Sequence, residues 1–131
     1  MKFRYKKYGP GVLRPVIPIA VVHKENQLTY EVLVDSGSDV NIFDANLARP
    51  LGLNLTSGER AKVSGITGVD EPMYVHPVDL IIGGHLFKDV KVGFLKQIGE
   101  YGYGVVGQKG FFDLFKVTFD LKKEEIELKP R

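Results

Sequence analysis

The 131-residue chain predicts an all-β fold, a small closed or sandwiched sheet domain with one or two short helices. Three observations carry that expectation. Apolar and polar residues alternate with period two over most of the chain, turn-forming residues recur at short spacing, and no long stretch shows helical periodicity. The length fits one domain, since domains usually hold ~100–200 residues. Residues 1–131 are therefore read as a single unit, with residues 1–11 as an N-terminal strand or arm.

The elements follow in order. "VLRPVIPIAVV" (12–22) reads as extended, and Pro15 and Pro18 suit a sheet edge because proline cannot donate to a ladder. "HKENQ" (23–27) is a short polar hairpin loop. Beyond it Leu28, Tyr30, Val32 and Val34 point one way, while Thr29, Glu31 and Leu33 point the other. "DANLARPLGL" (44–53) opens on Asp44 as a helix N-cap and stops by Pro50 and Gly52. "AKVSGITGVDEPMYVH" (61–76) reads as a strand pair around a glycine-rich tip. Residues 73–95 read as strand, turn, strand, with Gly83 and Gly84 supplying the positive-φ pair of a type I′ turn. "KGFFDLF" (109–115) has room for one or two helical turns. "FKVTFDL" and "EIELK" make a last hairpin, turned at residues 122–124.

Composition removes several function classes. The net charge is +2, so no strong overall field marks a nucleic-acid or acidic-substrate binder. Without cysteine there are no disulfides, thiolate metal sites or cysteine nucleophiles. "MKFRYKKYGPG" lacks the apolar core of a secretory signal, and no run approaches ~18 continuous apolar residues. The expected setting is soluble and cytoplasmic, with neither nucleic acid nor membrane as a partner.

One stretch breaks the pattern. The apolar run "LTYEVLV" ends in a bare Asp35-Ser36-Gly37 and then resumes through Val40, Ile42 and Phe43. Gly37 permits a tight turn, and Ser36 is able to hold it by local hydrogen bonding. An ordinary turn closing a strand is the plain reading. The setting adds weight to another, because a carboxylate anchored at both ends in core is costly unless its charge is shared or hydrogen-bonded. Seventy residues after Gly37, Val105 and Val106 lead into Gly107 and the final hairpin.

This order resembles the retropepsin-like (retroviral-type) aspartic proteases over roughly residues 12–128. The likeness rests on Leu33-Val34-Asp35-Ser36-Gly37, on the glycine-tipped Gly65-Ile66-Thr67-Gly68, and on Val105-Val106-Gly107. It implies a small closed acid-protease barrel with one lobe per chain, and an aspartic endopeptidase without cofactor or metal. With a single Asp-Ser-Gly, the second catalytic Asp35 would come from a second copy, in a self-complementary homodimer. The two carboxylates would share one proton, as is established for aspartic protease dyads. At ~3 Å and an effective dielectric near ~20, two full charges repel by roughly 5–6 kcal/mol.

The resemblance further implies roles for the neighbours. Ser36 would hydrogen-bond the partner chain beneath the dyad, and Gly37 would admit the backbone of a peptide or protein substrate. Asp39 would bind substrate main chain. Gly65, Ile66, Thr67 and Gly68 would form a flap over an extended peptide, and Val105, Val106 and Gly107 would line the cleft. Gln108 departs from the viral pattern, which has Arg there, so the ion pair that braces viral dimers cannot form. We expect the terminal strands to replace it as the subunit contact, with Lys2, Arg4 and Lys6 set against Glu125 and Glu127. A second reading is a non-catalytic member of the same fold that binds a peptide or assembles a larger complex.

Other signals are set aside. "GYGVVG" (102–107) fits a dinucleotide fingerprint by letter, but too little chain follows for the βαβ unit it needs. "KFRYKKY" interleaves basic and aromatic residues, yet an edge strand explains it better than a nucleic-acid footprint. His23, His76 and His85 lack a ligand spacing and read as surface histidines.

Overall fold

The computed structural model describes residues 1–64, 70–98 and 102–131, without the side chains of residues 63, 64 and 70. Among the described residues twelve strands are formed. They are β1 Lys2–Arg4, β2 Lys6–Lys7, β3 Leu13–Arg14, β4 Val16–His23, β5 Asn26–Val34 and β6 Asn41–Asp44, then β7 Glu59–Ser64, β8 Asp70–Ile82, β9 His85–Leu95, β10 Gly104–Val106, β11 Phe115–Asp120 and β12 Glu125–Pro130. Neighbours in the main sheet run β4-β5-β10-β6-β9-β8-β7, and β4 also pairs with β8. That extra pairing closes a six-stranded barrel, with β7 hanging from β8 as the outer arm of a hairpin.

Closure revises the expected edge at Pro18. β4 pairs with β5 along its length but with β8 only from Ala20 to Val22. Pro18 is exposed and lies before that second ladder begins, so its missing N–H costs nothing there. Pro15 does interrupt the extended run, separating β3 from β4.

The period-two expectation holds in β5, where Val32 and Val34 enter the core. They meet Ile17, Ile19 and Val21 of β4, Phe43 of β6, and Val92 and Phe94 of β9. Phe43 stands edge-on between Tyr30 and Phe94, with centroids 5.2 and 6.1 Å away. Gly83 and Gly84 turn β8 into β9 with φ of 57° and 82°, as a type I′ turn requires. A bulge between Val78 and Leu80 is stitched by the Asp89 N–H, which donates to Asp79 Oδ1 at 3.0 Å.

The helices are shorter than expected. Asp44 does cap, accepting the Asn46 N–H at 2.9 Å, but the segment it starts is one 3-10 turn, Ala45–Leu47. Residues 109–115 form linked turns rather than a helix. Gly110 has φ of 96°, outside helical space, and the Phe112 and Asp113 N–H groups reach back five residues to the Gly107 and Gln108 carbonyls. Among the described residues no helix is long and apolar enough to cross a membrane.

The termini form a separate three-stranded sheet, ordered β1-β12-β11. Its register sets Lys2 opposite Glu127 and Arg4 opposite Glu125, the basic–acidic pairing read from the sequence. The pairing is made within one chain, however. β12 is bonded on both edges, so β1 and β12 do not offer each other to a second copy. Lys6 turns elsewhere and pairs with the Glu31 carboxylate on β5.

Two side chains act as internal ties. His76 is buried rather than at the surface, and its Nε2 donates to the Leu55 carbonyl at 2.7 Å. The Tyr30 hydroxyl donates to the Gly102 carbonyl at 3.0 Å and accepts the Asp44 N–H at 3.2 Å. Burial pushes the Tyr30 phenol above its ordinary value, outweighing the Asp44 N–H bond that pulls it down. An unfolded tyrosine ionises near pH ~10 while the native one keeps its proton, so the native state binds more protons above that pH and stability falls as pH rises. We predict that urea unfolding midpoints drop above about pH 10, and that the drop is shallower in Tyr30→Phe. Equal slopes in the two proteins would contradict this.

Candidate active site

The site is built where β10 slides between β5 and β6. Val105 pairs in parallel with Leu33 and antiparallel with Ile42, so one short strand holds both sides of the Asp-Ser-Gly loop. Parallel pairing with β5 brings Val106 level with Val34. The Asp35 N–H then donates to the Val106 carbonyl at 3.0 Å, ending the ladder at the acid itself.

The loop beyond is closed by short bonds. The Asp35 carbonyl accepts the Ser38 N–H at 3.1 Å, and Asp35 Oδ1 accepts the Gly37 N–H at 2.9 Å. Ser38 Oγ donates to the Val40 carbonyl at 2.7 Å. From the other side, Gln108 Nε2 donates to the Ser36 carbonyl at 2.9 Å. The Gln108 and Lys109 N–H groups bond the carbonyls of Ser38 and Asp39 at 2.9 and 3.0 Å. Asp35 is half-buried, with one carboxylate oxygen oriented by a backbone donor.

Asn41 is the residue that sequence reasoning missed. It is fully buried, accepts the Gly107 N–H through Oδ1 at 2.9 Å and donates through Nδ2 to the Gly110 carbonyl at 3.2 Å. It thereby locks the segment after β10 to the start of β6. Its one sequence signal is polarity at an inward position, between Val40 and the apolar Ile42-Phe43. Gly107 is required for a different reason. A Cβ there would lie 2.4 Å from the Ser38 carbonyl oxygen and 2.6 Å from that of Val40.

The expected site residues separate into three groups. Asp35, Ser36, Gly37 and Asp39 lie together on the loop, with Ser36, Gly37 and Asp39 exposed. Val106 and Gly107 are buried, which corrects the expectation that they line the cleft. Alternation along β10 is the reason: Val105 and Val106 point opposite ways, and Val106 joins the core while Val105 is half-buried. The flap expected at Gly65, Ile66, Thr67 and Gly68 lies outside the described residues. Its two arms are present as the antiparallel pair β7 and β8, in register from Glu59 with Val75 to Ser64 with Asp70.

A cavity of about 540 Å³ opens beside this loop, lined by Val40, Met73, Val75, Val90, Lys109 and Leu114 among others. Asp35 does not line it.

A family model described as aspartyl protease matches residues 19–109, a span that holds both the Asp35 loop and the Gly107 segment. The chain belongs to the aspartyl protease family. Among solved structures, this family member is similar to a retropepsin-like aspartic protease from Rickettsia conorii, with a TM-score of 0.69 and 17% identity, covering 96% of this chain and 95% of that one. It is also similar to EIAV protease complexed with the inhibitor HBY-793, with a TM-score of 0.55 and 18% identity, covering 78% and 88% of the two chains. The fold is therefore that of the retropepsin-like proteases. No curated protein sequence matches the chain.

Proposed function

We propose that the protein is an aspartic endopeptidase that works as a homodimer, each copy supplying one Asp35. The observation that carries this reading is the Asp35 loop. Its acid ends a core strand and is tied to β10 through its own N–H, the next carbonyl, that of Ser36, is held by Gln108, and the chain contains no second Asp-Ser-Gly to supply another such acid.

In the assembled pair one carboxylate takes a proton from a water held between the two acids. The other, protonated, donates to the oxygen of the scissile carbonyl. Attack of the activated water on the carbonyl carbon gives a tetrahedral diol, and transfer of a proton to the amide nitrogen releases the amine. No bond forms between protein and substrate. Asp39, exposed on the same loop, is assigned to substrate main chain, and Val105 to an apolar side chain beside the cut. Val106, Gly107, Asn41 and Gln108 support the loop. The Ser36 hydroxyl makes no hydrogen bond among the described residues and is available to the loop of the partner.

The test is the dependence of rate on protein concentration. Because a lone chain holds half a site, hydrolysis of a peptide should fall more steeply than linearly on dilution below the dimer dissociation constant. Strict proportionality down to monomer concentrations, checked by light scattering, would overturn the proposal. A dimer that binds an extended peptide and never cleaves it would favour the non-catalytic reading instead.

A further inference from the structure

The chain has no cysteine and two methionines, Met1 and Met73, so thioethers are its only readily oxidised sulfurs. Met73 stands on β8 opposite Ala61 of β7. The next residue on its face, Val75, stands opposite Glu59 of β7 and Gly93 of β9. By alternation these residues share one face of the sheet with Lys91. Met73, Val75, Lys91 and Gly93 line the cavity beside the Asp35 loop, and Val40 and Lys109 line it too.

Glycine at position 93 leaves the space that the thioether fills. A Cβ there would lie 2.7 and 2.8 Å from Cγ and Cε of Met73, and closer still to the Sδ between them. Two carbons at nearly equal distance, each a little farther than the sulfur, mean that the thioether lies flat on the glycine. A sulfur pointing edge-on would hold its carbons well away. Gly93 therefore covers one face of the sulfur with its lone pair, and the other face is turned from the sheet to the cavity. Met73 is only 6% exposed, so the cavity is the route to its sulfur. At about 540 Å³ the cavity has room for an added oxygen.

We propose that Met73 is an oxidation site, attacked by hydrogen peroxide on its cavity face alone and converted to one of the two sulfoxide epimers. The outward lone pair attacks one peroxide oxygen, and the O–O bond breaks. Sulfur is oxidised to the sulfoxide, and the proton of the transferred hydroxyl passes to the departing hydroxide, which leaves as water. An unfolded chain, open on both faces of the sulfur, gives both epimers. The consequence for activity rests on the endopeptidase reading. The new oxygen makes a polar acceptor of an apolar wall, and the ammonium group of Lys109 is among the donors that line the cavity. A bond to it pulls on the residue whose N–H holds the Asp39 carbonyl.

Stereochemistry supplies the test. The full chain is treated with dilute hydrogen peroxide in native buffer and, separately, in urea, then digested, and the Met73 peptide is isolated by mass. That peptide is exposed to the two methionine sulfoxide reductases, each specific for one epimer. Sulfoxide formed natively should be cleared by one reductase and left by the other, while sulfoxide formed in urea should be cleared about half by each. Both epimers from the native chain, or oxidation of Met73 in urea alone, would overturn the site. Peptide hydrolysis should fall about tenfold on native oxidation, as small displacements of positioning elements cost rate steeply. Met73→Leu, close in volume, should keep its own untreated rate through the same treatment, whereas Met1→Leu should lose rate as wild type does. A single epimer with no loss of rate would overturn the consequence for hydrolysis. An untreated chain that cleaves no peptide would overturn the endopeptidase reading and leave the epimer result standing.

Discussion

Replacing Asp35 with Asn is expected to remove peptide hydrolysis by at least ~10³-fold, because no group remains to take the proton from water. The fold should not notice. Asn keeps an Oδ1 acceptor for the Gly37 N–H, and the Asp35 N–H bond to Val106 belongs to the backbone. A stability change within the scatter of ordinary surface substitutions, about ±0.5 kcal/mol, is predicted. Mixing Asp35→Asn chains with an equal amount of wild type should leave about a quarter of the dimers with both acids, so activity should fall to about a quarter of that of wild type at the same total protein concentration. Hydrolysis at the wild-type rate in the pure variant would refute the assignment of Asp35.

Asn41→Leu should produce the largest loss of stability. The substitution is close in size and fills the same buried space, yet strands the Gly107 N–H and the Gly110 carbonyl without partners. Leaving a buried N–H and a partly buried carbonyl unsatisfied costs about 2–5 kcal/mol. For a domain of this length that lowers the melting midpoint by about 8–20 °C, measurable by circular dichroism. Activity per folded molecule should fall as well, since Asn41 holds the segment that carries Gln108 against the Ser36 carbonyl. A midpoint within about 2 °C of wild type would show that water or rearrangement replaces the amide.

Much of this is legible in the residues, for a local reason. Period-two alternation, Gly83-Gly84 and the turn at Asp35-Ser36-Gly37 act within a few residues and form, although the turn is tied by Asp35 Oδ1 and its carbonyl rather than by the Ser36 hydroxyl. The helix expected at residues 109–115 fails because Gly110 takes a left-handed φ, and the Phe112 and Asp113 N–H groups bond the Gly107 and Gln108 carbonyls five residues back. His76 reads as a surface residue because its partner, the Leu55 carbonyl, lies 21 positions away and leaves no trace in composition.

By itself the chain's order of residues determined a small β-domain and the position of one acid at a tight turn, since strand period and turn chemistry depend on immediate neighbours. Tertiary structure alone decided the rest. It inserted β10 between β5 and β6, recruited Asn41 across 66 residues to clamp Gly107, and placed β12 between β1 and β11. Such choices follow from closing a barrel, where distant segments must satisfy one another's peptide groups, and no repeat along the chain encodes that pairing.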